Sequence, residues 1–153
     1  MSAVPAPAPQ PLSGEEEAVV RAFGRVLAVI PRVLDADLER EQRMSLSEYT
    51  VLRILSEAPG RRMRMSELAS ACDMSLSGMT RLASKLESSR FLERQPCESD
   101  ARGFHAVLTD AGLARLERAW PTHLTSVRRH ITDHLRDVDL GKLAAALDKI
   151  ANS

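Results

Sequence analysis

At 153 residues the chain is one domain, or one domain with an extended dimerisation arm, and with only three Phe, one Tyr and one Trp its core must be mainly aliphatic. The 21 basic and 21 acidic residues cancel, which excludes an overall positive charge as a source of nucleic-acid affinity. Two cysteines exclude a disulfide framework, and no apolar run approaches the length of a membrane span, so a cytoplasmic protein without a membrane partner is expected.

The N-terminal part divides into a tail and a long helix. Residues 1–14 are rich in Pro and Ala, which predicts a disordered or extended segment. Between residues 15 and 44 apolar side chains recur at spacings of three and four, and the first turn is acidic, as the helix dipole favours. Pro31 lies inside this helical pattern and predicts a kink.

Residues 45–109 begin with a pattern that predicts a helix-turn-helix unit. Ser45 and Glu48 form a capping-box pattern that opens a first helix, which stops at Pro59-Gly60. The elements predicted next are a short strand at 63–65, a short helix at 66–72, a turn at 73–74 and a helix from its N-cap Ser75 to about Ser89. Two helices joined by a tight turn are typical of helix-turn-helix units.

The helix that begins at Ser75 has two different faces. Its inward stripe consists of Met79, Leu82, Ala83 and Leu86. Its opposite face carries Ser77, Thr80, Arg81, Ser84, Lys85 and Ser88. A narrow helix with small polar and basic side chains fits the major groove of DNA, and the alternative is a solvated helix packed on a bundle.

A predicted β-hairpin follows and favours the DNA-binding interpretation. Its strands are Phe91–Gln95 and Phe104–Leu108, joined by a loop over 96–103. The charged tip is built around Asp100-Ala101-Arg102, where Asp100 can accept hydrogen bonds from loop amides while Arg102 projects outward. A thin hairpin that ends in arginine fits the minor groove beside a recognition helix, so the hairpin is a candidate wing.

The C-terminal part predicts helices that need a partner. After an N-cap at Thr109, apolar residues from Leu113 to Val138 recur with nearly heptad spacing, interrupted only by Pro121, and a final helix covers about 138–151. These helices carry more apolar surface than one small lobe can cover, so we expect a homodimer. The predicted fold is mainly α with a small β-hairpin wing: a winged helix-turn-helix lobe (45–109) with a helical dimerisation region (15–44 and 110–151).

Taken together, these motifs resemble the MarR family of bacterial transcriptional regulators over roughly residues 15–151. The matching motifs are Ser66-Glu-Leu-Ala69, Ser75-Leu-Ser-Gly-Met-Thr-Arg81, Leu86-Glu87, Phe91-Leu-Glu-Arg94, Asp100-Ala-Arg102 and Leu108-Thr-Asp-Ala-Gly112. Each motif is weak alone, and the order and spacing together are specific. The resemblance implies a dimer on double-stranded DNA, usually a repressor, with two recognition helices in successive major grooves of a pseudo-palindromic operator.

The resemblance also implies roles for individual residues. The residues expected at the major groove are Ser75, Ser77, Gly78, Thr80, Arg81 and Lys85, with Arg81 as the favoured base reader. Arg102 would enter the minor groove, Asp100 would hold the wing in shape, and Arg94 would contact phosphate or brace the wing. Arg90 is a departure: the family usually places Gly there to end the recognition helix in the left-handed conformation, so the cap is expected to be strained or differently formed.

The resemblance implies a small aromatic or phenolic effector bound between the dimerisation helices and the lobe. Candidate lining residues are Phe23, Tyr49, Trp120 and His123, for each of which simple core or interface packing is the alternative. Oxidation of Cys97, predicted to be exposed in the wing near Arg94 and Arg102, is a second mode of sensing, whereas Cys72 faces inward and is expected to be inert.

Other kinds of chemistry find little support. His130 and His134 have an i, i+4 spacing that can hold zinc, but no carboxylate or cysteine completes the set, and Tyr49 stands where zinc-sensing relatives tend to carry a ligand His, so no metal or other cofactor is expected. Without a Gly-rich phosphate loop, G-x-S-x-G or H-E-x-x-H motif, neither catalytic residues nor enzymatic activity is expected. A winged helix used as a protein-interaction module stays open because the net charge is zero, although Arg81 and Arg102 argue against it.

Overall fold

The computed structural model describes residues 9–153 apart from the side chains of Asp100 and Ala101, so most of the predicted tail lies outside the described residues. The helices of the described range are α1 (Gly14–Gln42), α2 (Leu46–Glu57), α3 (Met65–Ala71), α4 (Leu76–Ser88), α5 (Asp110–His130) and α6 (Leu140–Ala151). The strands are β1 (Arg62–Arg64), β2 (Leu92–Cys97) and β3 (Asp100–Leu108). This confirms a mainly helical chain with a small antiparallel sheet.

Side-chain caps fix where the helices begin. The Ser13 hydroxyl accepts from the Glu16 amide at 3.2 Å while the Glu16 carboxylate accepts from the Ser13 amide at 2.7 Å, so α1 begins one residue before the predicted start. Ser45 and Glu48 form the same reciprocal pair at the start of α2, as predicted. Ser75 caps α4, and α1 continues through Pro31 without interruption.

The end of α4 adopts the strained form of cap. Arg90 has φ 62°, in the left-handed region, and its amide donates to the Glu87 carbonyl at 2.9 Å. The next amide, that of Phe91, donates to the Leu86 carbonyl at 3.0 Å. These two bonds complete a Schellman motif around a residue that has a Cβ, which is the position where glycine is normally preferred.

The wing is longer than predicted. The sheet order is β1-β3-β2, all antiparallel, and β2 continues through Pro96 to Cys97, which leaves only residues 98–99 as the turn. Proline is tolerated there because β2 is an edge strand, and the sheet register shifts between Pro96 and Cys97. The prediction of a loop over 96–103 was therefore wrong, and Arg102 lies in β3 rather than at the tip of the hairpin.

One apolar core joins α2, α3, α4, the sheet, and parts of α1 and α5. Its fully buried large side chains include Leu38, Tyr49, Val51, Leu52, Leu55, Leu68, Met79 and Leu92. The contact between α5 and the segment before β2 is especially close, because a Cβ on Gly112 would overlap the carbonyl oxygen of Phe91 and lie 2.7 Å from Leu108 Cδ1. Only glycine fits this crossing without movement of the backbone.

The C-terminal region does not form the single long helix predicted as far as Val138. α5 ends at His130, Ile131 has non-helical backbone angles, and a 3-10 turn covers Thr132–His134 before α6. His130 and His134 therefore do not lie one turn apart on a helix, so the i, i+4 spacing considered for zinc does not exist in the structure. The segment 131–134 contains β-branched residues and Asp, which have low helix propensity, and they outweigh the apolar spacing.

A buried polar cluster joins α1 to the end of α5. Asp37 accepts from the Ser126 hydroxyl at 2.6 Å and from Arg40 at 2.6 Å, and His130 Nε2 lies 3.1 Å from the same carboxylate. The hydrogen bond from Ser126 is the main cause that lowers the pKa of Asp37 to about 2, against the opposing effect of burial. Asp37 is therefore a buried, charged carboxylate whose oxygens have hydrogen-bond partners.

Candidate nucleic-acid interface

The N-terminal end of α4 is exposed and shaped by its cap. The Ser75 hydroxyl accepts from the Gly78 amide at 3.1 Å and lies 3.3 Å from the Ser77 hydroxyl. A Cβ on Gly78 would come within 3.1 Å of the Ser75 oxygen, which is a tight contact. Ser75 and Gly78 thus hold the first turn of the helix, while Ser77 points to solvent.

The outward face of α4 combines hydroxyl groups with two long cations, Arg81 and Lys85. Thr80, Ser84 and Ser88 each donate to the carbonyl four residues earlier, at 2.8–2.9 Å. Arg81 is exposed and makes no ion pair with the described side chains. The guanidinium of Arg81 is therefore available to an acceptor outside the protein, such as a base edge or a phosphate.

Lys85, a residue predicted at the groove, is paired with α2 in the structure. Its ammonium lies 2.6 Å from the carboxylate of Glu48, whose side chain is only 9% exposed. Lys85 shares the polar face of α4 with Arg81, but its charge is paired with a carboxylate of the protein. Sequence spacing places a residue on a face of a helix but does not show which way a long side chain turns.

Two arginines hold the wing in place. Arg94 on β2 donates through Nε to Glu87 near the end of α4, at 2.6 Å, which agrees with the bracing role of the two considered for it. Arg64 on β1 donates to the Ser99 hydroxyl in the turn of the hairpin, at 3.0 Å. The wing is therefore tied to both α4 and β1.

A cleft of about 420 Å³ separates α4 from the wing. Arg64, Arg94 and Arg102 line it together with Thr80, and the exposed apolar side chains of Leu76 and Phe104 line it as well. Arg102 is exposed there, whereas the side chain of Asp100, its predicted partner in shaping the wing, lies outside the described residues. The sequence prediction missed Arg64, because a single arginine in a three-residue strand gives no pattern until β1 pairs with β3.

Cys97 is not the exposed wing cysteine that the sequence predicted. It is 5% exposed, and its sulfur lies 3.1 Å from His105 Nδ1 on the paired strand. The short turn brings Cys97 to the inner side of the hairpin, whereas a loop over 96–103 would have left it in solvent. Cys72 is half-buried, and burial raises the pKa of its thiol.

A second cavity, of about 310 Å³, lies between α2 and α5. Tyr49 and Trp120 line it with Arg53 and Leu116, and His123 stacks on the Tyr49 ring at a centroid distance of 4.3 Å. Three of the four predicted ligand residues therefore meet here. Phe23, which lies on α1, is not among the lining residues.

The stacked rings beside this cavity carry unsatisfied polar atoms. Tyr49 OH and His123 Nδ1 are buried and have no hydrogen-bond partner among the described residues. Burial raises the pKa of Tyr49 to about 12 and lowers the pKa of His123, so both rings are neutral near pH 7. Buried polar groups without partners are uncommon and are typical of sites that receive a ligand or water.

Two features of the described residues bear on other functions. No helix within 9–153 is long and apolar enough to cross a membrane. The same residues contain no group of three or more His, Cys, Asp or Glu side chains arranged to hold a metal ion.

Known proteins similar to this chain are regulators of transcription. The sequence profile of the MarR family matches residues 44–104. AbsC, a MarR family transcriptional regulator from Streptomyces coelicolor, has 37% identity and a TM-score of 0.83, covering 94% of this chain and 97% of AbsC. Sco3205, a MarR family transcriptional regulator from the same organism crystallised in complex with DNA, has 33% identity and a TM-score of 0.84, covering 94% of this chain and 90% of Sco3205. The HTH-type transcriptional regulator PecS of Dickeya dadantii (strain 3937) is 29% identical over 119 residues, covering 76% of this chain and 70% of PecS.

Proposed function

This chain belongs to the MarR family of transcriptional regulators, and on that premise we propose that it is a dimeric cytoplasmic repressor of a pseudo-palindromic DNA operator. The observation that carries the proposal is the exposed polar face of α4 beside a cleft lined by three arginines. The relative Sco3205, crystallised with DNA, supports the choice of DNA as the partner of this face.

The two parts of the surface suit different DNA grooves. The first turns of α4 would enter the major groove, where Arg81 can form a bidentate contact with a guanine and the hydroxyls of Ser77 and Thr80 can accept hydrogen bonds. The wing would follow the minor groove, whose narrow A-T tracts attract arginine, with Arg102 as the inserted side chain. The cleft between them would receive the phosphate backbone.

The helical arms support a homodimer. Exposed apolar side chains lie along the first half of α1 and along α6, where no residue is buried. They include Val19, Val20, Val26, Leu27, Val29, Leu140, Leu147 and Ile150. Apolar helix faces of this extent need a covering partner, and a second copy would place two α4 helices on major grooves about 34–36 Å apart.

The second cavity supports relief of repression by a small ligand. It lies where α2 meets α5, so a bound aromatic molecule would contact the lobe through Tyr49 and the dimerisation region through Trp120. A ligand that fits only one separation of the two lobes would shift the dimer toward that separation and lower its DNA affinity. Trp120 is the only tryptophan of the chain, so its fluorescence reports on occupancy directly.

Fluorescence anisotropy with two DNA duplexes tests the proposal. The full chain is titrated with DNA from upstream of its own gene and with random DNA, each at two salt concentrations. A repressor should bind the upstream or a selected genomic fragment far more tightly than random DNA. Arg81→Ala should relax base preference at a cost of about 1–3 kcal/mol, and Arg102→Ala should weaken binding to all DNA and reduce its salt dependence.

The winged-helix interaction module is the second candidate, and the same titration separates the two. Weak binding that is equal on random DNA and on fragments selected from the whole genome would contradict a site-specific regulator and favour the module. Equal losses on specific and random DNA for both variants would instead contradict the division of roles between Arg81 and Arg102.

A further inference from the structure

The ion pair between Lys85 and Glu48 connects the recognition helix with the helix that forms the wall of the second cavity. The Lys85 ammonium and a Glu48 carboxylate oxygen are 2.6 Å apart, and the other carboxylate oxygen accepts from the Ser45 amide at 2.7 Å. One carboxylate thus closes the first turn of α2 and holds the middle of α4. Tyr49, the next residue along α2, lines the cavity.

The environment of the pair makes it more than a surface ion pair. The side chain of Glu48 is 9% exposed, whereas that of Lys85 is 66% exposed. Burial tends to raise the pKa of Glu48, but Lys85 and Ser45 outweigh it and lower that pKa, so Glu48 is ionised at neutral pH. A buried carboxylate that loses its cation is left with an uncompensated charge, which is unfavourable. The ion pair therefore favours the observed position of α4.

We propose that Lys85 is a positioning residue that fixes the orientation of the recognition helix through Glu48, and that it does not contact DNA phosphate. The inference rests on the proposed DNA binding. A dimer would then place two fewer positive charges at the DNA than the sequence of α4 indicates, because Lys85 of each copy is not a phosphate contact. Glu48, which does not reach the DNA, would still affect the DNA affinity through Lys85.

The salt dependence of DNA binding distinguishes a positioning role from a direct contact. The logarithm of the binding constant falls with the logarithm of the salt concentration by about 0.9 for each phosphate neutralised, so two lost contacts per dimer would reduce the slope by about 1.8. A change in helix orientation weakens binding with little change in the number of neutralised phosphates.

Two substitutions remove the pair from either side. Lys85→Met keeps most of the stem and removes the charge, and Glu48→Gln removes the opposite charge while keeping a residue that still completes a capping box with Ser45. Lys142→Met is the matched control, because Lys142 forms an exposed pair with Asp139 at the start of α6. Thermal unfolding of each variant confirms that it is folded at the titration temperature.

The inference expects that both variants weaken operator binding by about three- to tenfold, the scale of an ion pair with one buried member, and leave the salt slope unchanged. The control should change neither quantity. A slope reduced by about 1.8 in Lys85→Met, with normal affinity in Glu48→Gln, would overturn the inference, as would unchanged affinity in both variants. If the unsubstituted chain binds no DNA specifically, the proposed function fails, and that outcome is distinct.

Discussion

Arg90 stores strain that a single substitution should release. Its φ of 62° places a side chain with a Cβ in the left-handed region, where the cost is roughly 1–2 kcal/mol. Arg90→Gly removes this cost but increases the conformational freedom of the unfolded chain, which offsets about 0.5–1 kcal/mol. The Schellman hydrogen bonds at Glu87 and Leu86 are backbone bonds and remain. We therefore expect a net gain of about 0.5–1 kcal/mol in the free energy of unfolding.

Denaturant and thermal unfolding at one fixed protomer concentration measure this gain, because an associating chain has a concentration-dependent stability. The expected rise in Tm is about 1–4 °C for a chain of this length. Arg62→Gly is the matched control: Arg62 is exposed too, but its φ of −136° is extended, so the same exchange should lower the stability. If Arg90→Gly were no more stable than the original chain while Arg62→Gly behaved as expected, the assignment of strain to Arg90 would be refuted.

Two further positions give sharp expectations. Gly112→Ala should destabilise the fold by about 1–3 kcal/mol, because the added Cβ overlaps the Phe91 carbonyl. Gly24→Ala, where a Cβ meets open space on α1, should stabilise the fold by about 0.5–1 kcal/mol. Equal effects of the two substitutions in urea unfolding would contradict this expectation. Because the pKa of Asp37 is lowered from 3.8 to about 2, its ionisation contributes about 2 kcal/mol of stability above about pH 5, lost as the pH falls toward 2. Unfolding from pH 6 to 2 should be less pH-dependent in Asp37→Asn, and an unchanged profile would exclude Asp37 as a source of acid sensitivity.

Local chemistry in the sequence was sufficient to predict most of the fold. Ser45, Ser75 and Thr109 cap helices in the structure because a short hydroxyl side chain and the amides three residues later are close in sequence. The helical spacing of apolar residues along α4 likewise predicts that Met79 lies in the core and Arg81 outside it. Such features depend on neighbours within one turn, which a sequence shows directly.

Apart from the break after α5, what the sequence did not show depends on contacts between distant residues. In the sequence, Pro96 predicts the end of a strand. In the structure β2 is an edge strand that continues through Pro96, and the longer hairpin buries Cys97. Lys85 pairs with a carboxylate 37 positions earlier in the chain, and His130 meets Asp37 on α1, and no local pattern indicates either contact. Long side chains find their partners only after the helices have packed.

The hydroxyl groups of α4 would also limit which bases the helix can contact in the proposed DNA complex. Thr80, Ser84 and Ser88 use their only hydrogens on the carbonyls of their own helix, so each can offer a base nothing but lone pairs. Among the major-groove edges, only the amino groups of cytosine and adenine can donate a hydrogen bond to such a lone pair. Guanine N7 and O6 are acceptors and need a donor such as Arg81. The face is thus divided by hydrogen-bond polarity, and in the proposed DNA complex a guanine would lie under Arg81 and an amino-bearing base under Thr80.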